Sequence, residues 1–227
     1  MSRRAVVLLS GGLDSATCLF WAREKGYGTD ALTVRYGQRH ERERLAARRL
    51  ARAAGSRFHE IRMRLPWLSV SSLVDRRKGL PDVRPSRIGR GAIPSTYVPG
   101  RNMIFVALGL SLAESVGAEA VVVGANSLDT SGYPDCRPEF YRAFRRVAVL
   151  GTRRGCEGAP LRIEAPLLRK DKAGIVRMAL RLGVPLGLTW SCYRGGRRPC
   201  GRCDSCKLRA KGFAESGVVD PAPGGAA

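Results

Sequence analysis

The chain alternates short apolar runs with longer stretches of helical spacing. The apolar residues from Ala5 onward read as a buried strand that breaks at Ser10-Gly11-Gly12 and passes into a helix over about 15–25. Gly26-Tyr27-Gly28 stops that helix, and Ala31-Leu32-Thr33-Val34 predicts a second strand, which completes a βαβ unit. A helix over 41–54 follows, with Leu45, Ala46, Leu50 and Ala53 on a narrow apolar face and Gly55 at its end. Residues 58–63 alternate in polarity as a third strand.

From Pro66 to about Pro99 the periodicity fails. The stretch Asp75-Arg76-Arg77-Lys78-Gly79 and several Pro, Ser and Gly residues predict a long excursion, read as a mobile cover over the site because it separates the second and third βα units. Order returns with a helix over 102–116 and the fully apolar strand Ala120-Val121-Val122-Val123-Gly124. A helix over 138–150, a strand over 161–165, a helix over 172–182 and a C-terminal helix over 207–215 follow. The alternation predicts an α/β fold of Rossmann-like type, a doubly wound parallel sheet with ligands at the carboxyl ends of its strands. The expected organisation is an α/β domain over 1–188, a small cysteine knuckle with its helix over 189–217, and a flexible tail over 218–227.

The break after the first strand is a phosphate-binding layout. Gly11 and Gly12 have no Cβ, so the backbone can turn sharply and bring its N–H groups close to an anion, and the new helix adds unpaired N–H groups and the positive end of its dipole. Ser10 and Ser15 can donate hydroxyl hydrogen bonds to that anion, and Asp14 can hold Mg²⁺ beside it. No Lys-Ser/Thr pair follows, so this is not a Walker A loop.

Composition narrows the setting. At 227 residues, 44% of them hydrophobic, the chain suits one domain with a real core and small appendages. No apolar run approaches the roughly 20 residues of a membrane span, and Met1-Ser2-Arg3-Arg4 leads straight into a strand, so a cytoplasmic protein is expected. The formal net charge of +21 would ordinarily point to nucleic acid. Here the charge is mostly arginine spread through every segment, which is discounted as a nucleic-acid signal; a basic surface would still draw in anionic small molecules.

Seven cysteines in such a chain argue for metal or thiol chemistry. Cys192, Cys200, Cys203 and Cys206 stand in the spacing C-x7-C-x2-C-x2-C among Gly195, Gly196, Pro199 and Gly201. Four thiolates without histidine suit a closed tetrahedral Zn²⁺ site, with an iron–sulfur cluster as the competing occupant.

The pattern Ser-Gly-Gly-x-Asp-Ser after a strand resembles the pyrophosphate loop of the N-type ATP pyrophosphatases. Four further stretches, Pro94-Ser95-Thr96-Tyr97-Val98-Pro99-Gly100-Arg101-Asn102, Ser131-Gly132-Tyr133-Pro134-Asp135-Cys136-Arg137, Thr189-Trp190-Ser191-Cys192-Tyr193 and Tyr36-Gly37-Gln38-Arg39-His40, together with the knuckle, resemble the 7-cyano-7-deazaguanine synthase family of the queuosine pathway. That resemblance spans about 5–217. It implies an adenine nucleotide alpha-hydrolase-like fold, a homodimer, and synthesis of the nitrile from 7-carboxy-7-deazaguanine, ammonia and ATP by two adenylations that release AMP and pyrophosphate.

On this resemblance the nucleotide is assigned to Leu9, Ser10, Gly11, Gly12, Leu13, Asp14, Ser15, Ala16, Thr17, Cys18 and Leu19, with Tyr36. Asp14, Ser15, Arg101 and Lys172 are assigned to catalysis, ordinary surface charge being the competing reading of Arg101 and Lys172. The deazaguanine is assigned to Arg101, Asp129, Ser131, Gly132, Tyr133, Asp135 and Arg137, with Asp129 or Asp135 accepting from its N1–H and amino edge and Tyr133 as a stacking face. Cys136 reads as pocket lining, since adenylation needs no thiol nucleophile. Arg35 and Gly174 depart from the family pattern. The expected effects are altered adenine or ammonia handling at Arg35 and a helix cost of roughly 1 kcal/mol at Gly174. A tRNA-modifying enzyme on the same loop, of thiolase or lysidine-synthetase type, is the alternative function.

Overall fold

In a computed structural model of the protein, described for residues 3–39, 41–83, 88 and 93–222 and excluding the side chains of residues 130 and 131, the expected alternation is present. The elements are β1 (Arg4–Leu8), α1 (Leu13–Glu24), β2 (Gly28–Arg35), α2 (Arg42–Ala53), β3 (Arg57–Arg62), α3 (Arg101–Ser115) and β4 (Ala120–Val122). They continue with α4 (Asp129–Gly132), α5 (Pro138–Gly151), α6 (Arg153–Cys156), β5 (Arg162–Glu164), α7 (Lys172–Arg181) and α8 (Asp204–Ser216). All five strands are parallel, in the order β3-β2-β1-β4-β5.

Period-two patterning places the helices. Ala5 and Val7 of β1, with Ala120 and Val122 of β4, face a core shared with α1, α2 and α7; Val6 and Val121 face the opposite core, shared with α3 and α5. The chain leaves β1 in one direction through β2 and β3, then returns to β4 on its other side. That reversal opens a crevice at the carboxyl ends of β1 and β4, where a doubly wound sheet takes its ligand.

Gly11 secures the crevice. Its φ of +94° is left-handed, and a Cβ there would sit 2.2 Å from the Glu43 carbonyl oxygen and 2.7 Å from the Ala47 nitrogen. The glycine therefore lets α2 pack directly onto the loop, as well as letting the loop turn. Gly11→Ala is expected to cost about 2–4 kcal/mol, read as a shifted urea midpoint; an unchanged midpoint would disprove the contact.

The excursion is more ordered than its sequence suggests. Its described arms meet through Ser72 N–H donating to Ser95 O at 2.9 Å, and Leu68, Leu73 and Val98 pack under Tyr36 in a small apolar cluster. Lys207 Nζ donates to Asp82 Oδ1 at 2.5 Å and to Val83 O at 2.7 Å, which joins the excursion to α8. Residues 84–87 and 89–92 of the expected cover, and His40 of the Tyr36 motif, lie outside the described residues.

The flexible tail expected from residue 218 is docked as far as Ala222. Arg209 of α8, 6% exposed, grips both oxygens of Asp220 at 2.6 and 2.8 Å, and Val218 N–H donates to Phe213 O. A bidentate guanidinium–carboxylate pair with a buried arginine holds a short tail well. Phe213, 2% exposed, belongs to the main core, so α8 is part of the α/β body. No helix among the described residues is long and apolar enough to cross a membrane.

Candidate active site

The crevice holds a cavity of about 280 Å³. Its floor is the loop after β1, where Ser10 Oγ and Ser15 Oγ lie 3.0 Å apart, Ser15 Oγ donates to Gly12 O at 3.2 Å and Gly12 N–H donates to Ser10 Oγ at 3.3 Å. These bonds brace the loop into a concave ring of donors at the N-terminus of α1, which carries no side-chain cap. Leu9, Ser10, Gly12, Leu13, Asp14 and Ser15 line the cavity. Gly11 turns into α2, and Ala16, Thr17, Cys18 and Leu19 point into the body of the fold, Thr17 bonded to Leu13 O and Cys18 to Val123 O.

Asp14 is the hub. Its Oδ2 accepts from Lys172 Nζ at 2.5 Å and from Asn126 Nδ2 at 2.9 Å, while Oδ1 is buried without a hydrogen-bond partner. Asn126 Nδ2 also reaches Asp129 Oδ2 at 2.7 Å, so one amide joins the two carboxylates. Burial pushes the Asp129 carboxyl above its ordinary range against the pull of Lys172. Burial also opposes the charge on Lys172, yet Asp14 and Asp129 outweigh it and hold the ammonium above its ordinary value. Lys172 is thus a cleft residue rather than ordinary surface charge. Mg²⁺ fits this corner: an orphaned carboxylate oxygen beside a second carboxylate is the oxygen-rich set it prefers.

Arg101 opens α3, lines the cavity and donates from Nη1 to the Tyr36 hydroxyl at 3.4 Å. Its burial is outweighed by Tyr36, so the guanidinium stays charged, and Tyr36 packs edge-on to Phe105 at 5.5 Å. Tyr133 lines the cavity, its hydroxyl 2.9 Å from Thr96 Oγ1 and its ring 6.2 Å from Tyr97. Cys136 also lines it; burial raises the thiol well above its ordinary range, and Asn102 Nδ2 donates to the sulfur at 3.0 Å. A protonated thiol of this kind is wall, not nucleophile.

The structure separates the two aspartates that the sequence leaves as alternatives. Asp129 lines the cavity, whereas Asp135 is buried under the start of α3, accepting from Asn102 N–H at 2.9 Å. Gly132 lies in the short helix α4, Arg137 is the exposed N-cap of α5, and neither is among the cavity-lining residues. The Ser131 side chain is outside the described part. Arg35 is also absent from the lining; it pairs with Glu41 and, at 3.5 Å, with Glu60. Gly174 accepts the cap of α7, its N–H donating to Asp171 Oδ1 at 2.7 Å, and a Cβ there would lie 3.0 Å from that oxygen.

Sequence reasoning missed Asn126, Glu43, Trp190 and Arg209. Trp190 N–H donates to Gly11 O at 2.9 Å, and its indole N–H donates to Cys192 O at 2.9 Å, so the knuckle is tied to the phosphate loop. The four sulfurs of Cys192, Cys200, Cys203 and Cys206 all lie within 4.8 Å of one another. Cys200 N–H and Cys203 N–H donate to sulfurs at 3.4 Å. Four thiolates around one tetrahedral Zn²⁺ lie about 3.8 Å apart, so the knuckle fits a single ion.

A family model described as Queuosine biosynthesis protein QueC matches residues 4–217. The chain is 54% identical over 222 residues to a 7-cyano-7-deazaguanine synthase of Anaeromyxobacter sp. (strain Fw109-5), covering 97% of this chain and 95% of that one. To the 7-cyano-7-deazaguanine synthase of Synechococcus sp. (strain RCC307) it is 50% identical over 221 residues, covering 97% and 98%. Among solved structures, NMN synthetase from Francisella tularensis shares the fold with a TM-score of 0.51 at 15% identity, covering 96% of this chain and 78% of that one.

Proposed function

The chain belongs to the 7-cyano-7-deazaguanine synthase family of queuosine biosynthesis, and from that membership we propose that its cleft makes the nitrile from 7-carboxy-7-deazaguanine, ammonia and ATP. The observation that carries the reading is the Asp14 corner: a braced donor loop, a lysine, and a carboxylate with one buried oxygen unpartnered, all at the switch point of the sheet.

A carboxylate is a poor electrophile. Transfer of AMP to its oxygen supplies a leaving group, ammonia then yields the amide, and a second AMP transfer to the amide oxygen lets that oxygen depart as the nitrile forms. In each transfer, negative charge builds on the departing pyrophosphate. Ser10, Ser15, Lys172 and the α1 N-terminus offer fixed donors there, where preorganised charge is worth most. Mg²⁺ held by Asp14 would neutralise the same oxygens. Tyr36 and Arg101 form a wall against the adenylated acyl group, and Tyr133 with Asp129 receives the deazaguanine.

Zn²⁺ in the four-cysteine knuckle is structural in this reading, since four protein ligands leave no open position. The described arms of the excursion, 66–83 and 93–99, cover the cleft, a role supported by Leu73 in the cavity wall. The protein works as a cytoplasmic homodimer on small molecules, without membrane or nucleic acid. The test is incubation with Mg-ATP, ammonium and 7-carboxy-7-deazaguanine, followed by mass spectrometry. Nitrile with AMP is expected; folded, metal-loaded protein that releases no AMP with this substrate would overturn the assignment.

A further inference from the structure

The reaction proposed above must strip three protons from one nitrogen. When the ammonia lone pair attacks the acyl carbon, the electrons of the carbon–oxygen bond leave with AMP and one N–H proton must go, giving the amide. When the amide oxygen attacks the α-phosphorus of the second ATP, pyrophosphate departs and a second N–H proton is lost, giving an imidoyl adenylate. When that carbon–oxygen bond breaks, its electrons leave with AMP, the last N–H electron pair becomes the third carbon–nitrogen bond, and the third proton is released. An acceptor facing this nitrogen serves every step, and the carboxylates assigned so far have other partners. Asp14 holds Lys172 and Asn126, and Asp129 holds Asn126 and receives the deazaguanine.

We propose that Glu43 is that acceptor, a catalytic base in the cavity wall that α2 supplies. Glu43 stands in the first turn of α2, which Gly11 brings into contact with the phosphate loop, and its side chain lines the cavity with Tyr36, Arg101 and Trp190. No hydrogen bond to its carboxylate is present among the described residues, so both oxygens are available to a ligand. The groups that bear on its charge from the surrounding elements are Arg101 of α3, Cys192 of the knuckle, and the hydroxyls of Tyr36 and Tyr193. Burial pushes this carboxyl up, with Arg101 pulling against it. A carboxylate raised in this way is a stronger base toward an N–H proton than an ordinary exposed glutamate.

This inference rests on the proposed reaction, and the test separates the two. ATP–pyrophosphate exchange measured with 7-carboxy-7-deazaguanine and no ammonia reports the first AMP transfer alone, and amide and nitrile formation report the nitrogen steps. In Glu43→Gln, exchange stays within a few fold of wild type while amide formation falls about 10²–10⁴-fold. The wild-type rate, plotted against free ammonia, rises with pH as the raised carboxyl ionises, and the variant loses that limb. Glu43→Asp recovers part of the rate, and hydroxylamine, a nucleophile already unprotonated at neutral pH, suffers a smaller defect than ammonia. Full amide formation by Glu43→Gln, or loss of exchange in step with amide, would overturn the assignment. Absence of exchange in the wild type would instead overturn the reaction itself.

Discussion

Asp14→Ala is expected to lower AMP formation by about 10³-fold or more while the protein stays folded. The side chain carries two functions that no neighbour can assume: it fixes Lys172 at 2.5 Å and it offers the buried, unpartnered oxygen suited to Mg²⁺. Removing it leaves Asn126 still bonded to Asp129, and Lys172 still beside the Asp129 charge, so the local fold keeps its polar satisfaction. An oxygen buried without a partner also costs stability, which its deletion returns. Asp14→Asn keeps the shape and loses the charge, so an equal loss in both variants identifies charge as the cause. Circular-dichroism melting alongside an AMP assay checks the prediction, and activity within tenfold of wild type in either variant would remove Asp14 from the metal and the lysine.

The loop and its helix were legible because glycine, serine and apolar spacing are local signals. The partners of that loop were not. Asp30 shows why β2 begins at Gly28, well before its apolar stretch: its carboxylate is 1% exposed, and it is tolerated only because Arg4 of β1 and His59 of β3 meet it at 2.6 and 2.8 Å. Strand pairing brings those three together, and no window of sequence contains them.

The same holds at the site. Asp129 and Asp135 are equivalent in sequence, and only the position of α3 sends one to the cavity and the other to the start of that helix. Glu43 lies off the apolar face that marks α2 in the sequence, and only the close approach at Gly11 turns the first turn of that helix into a wall of the cleft. The excursion defeats periodicity for another reason. Its arms are held by a short 3₁₀ turn over Pro66–Val70 and by serine hydrogen bonds, which leave no repeating apolar spacing to detect.

Removing one thiolate should damage the cleft from a distance. Cys203 is the N-cap of α8 and Cys206 sits in its first turn, so the knuckle fixes where that helix begins. From there α8 seats against α7 with no room to spare: a Cβ on Gly212 would meet the Lys172 Cβ at 2.7 Å. The other arm runs through Trp190 to Gly11. A structural zinc contributes on the order of 10 kcal/mol to folding, comparable with the whole stability of a domain. In Cys203→Ser the expected outcome is loss of bound zinc, a fall in Tm of more than about 10 °C, and loss of AMP formation as Lys172 and the loop lose their backing. Chelation of the wild-type metal should reproduce all three effects. A zinc-free variant that melts within a few degrees of wild type and still forms AMP would show that the sheet and helices alone hold Lys172 against Asp14. The knuckle would then need a different purpose.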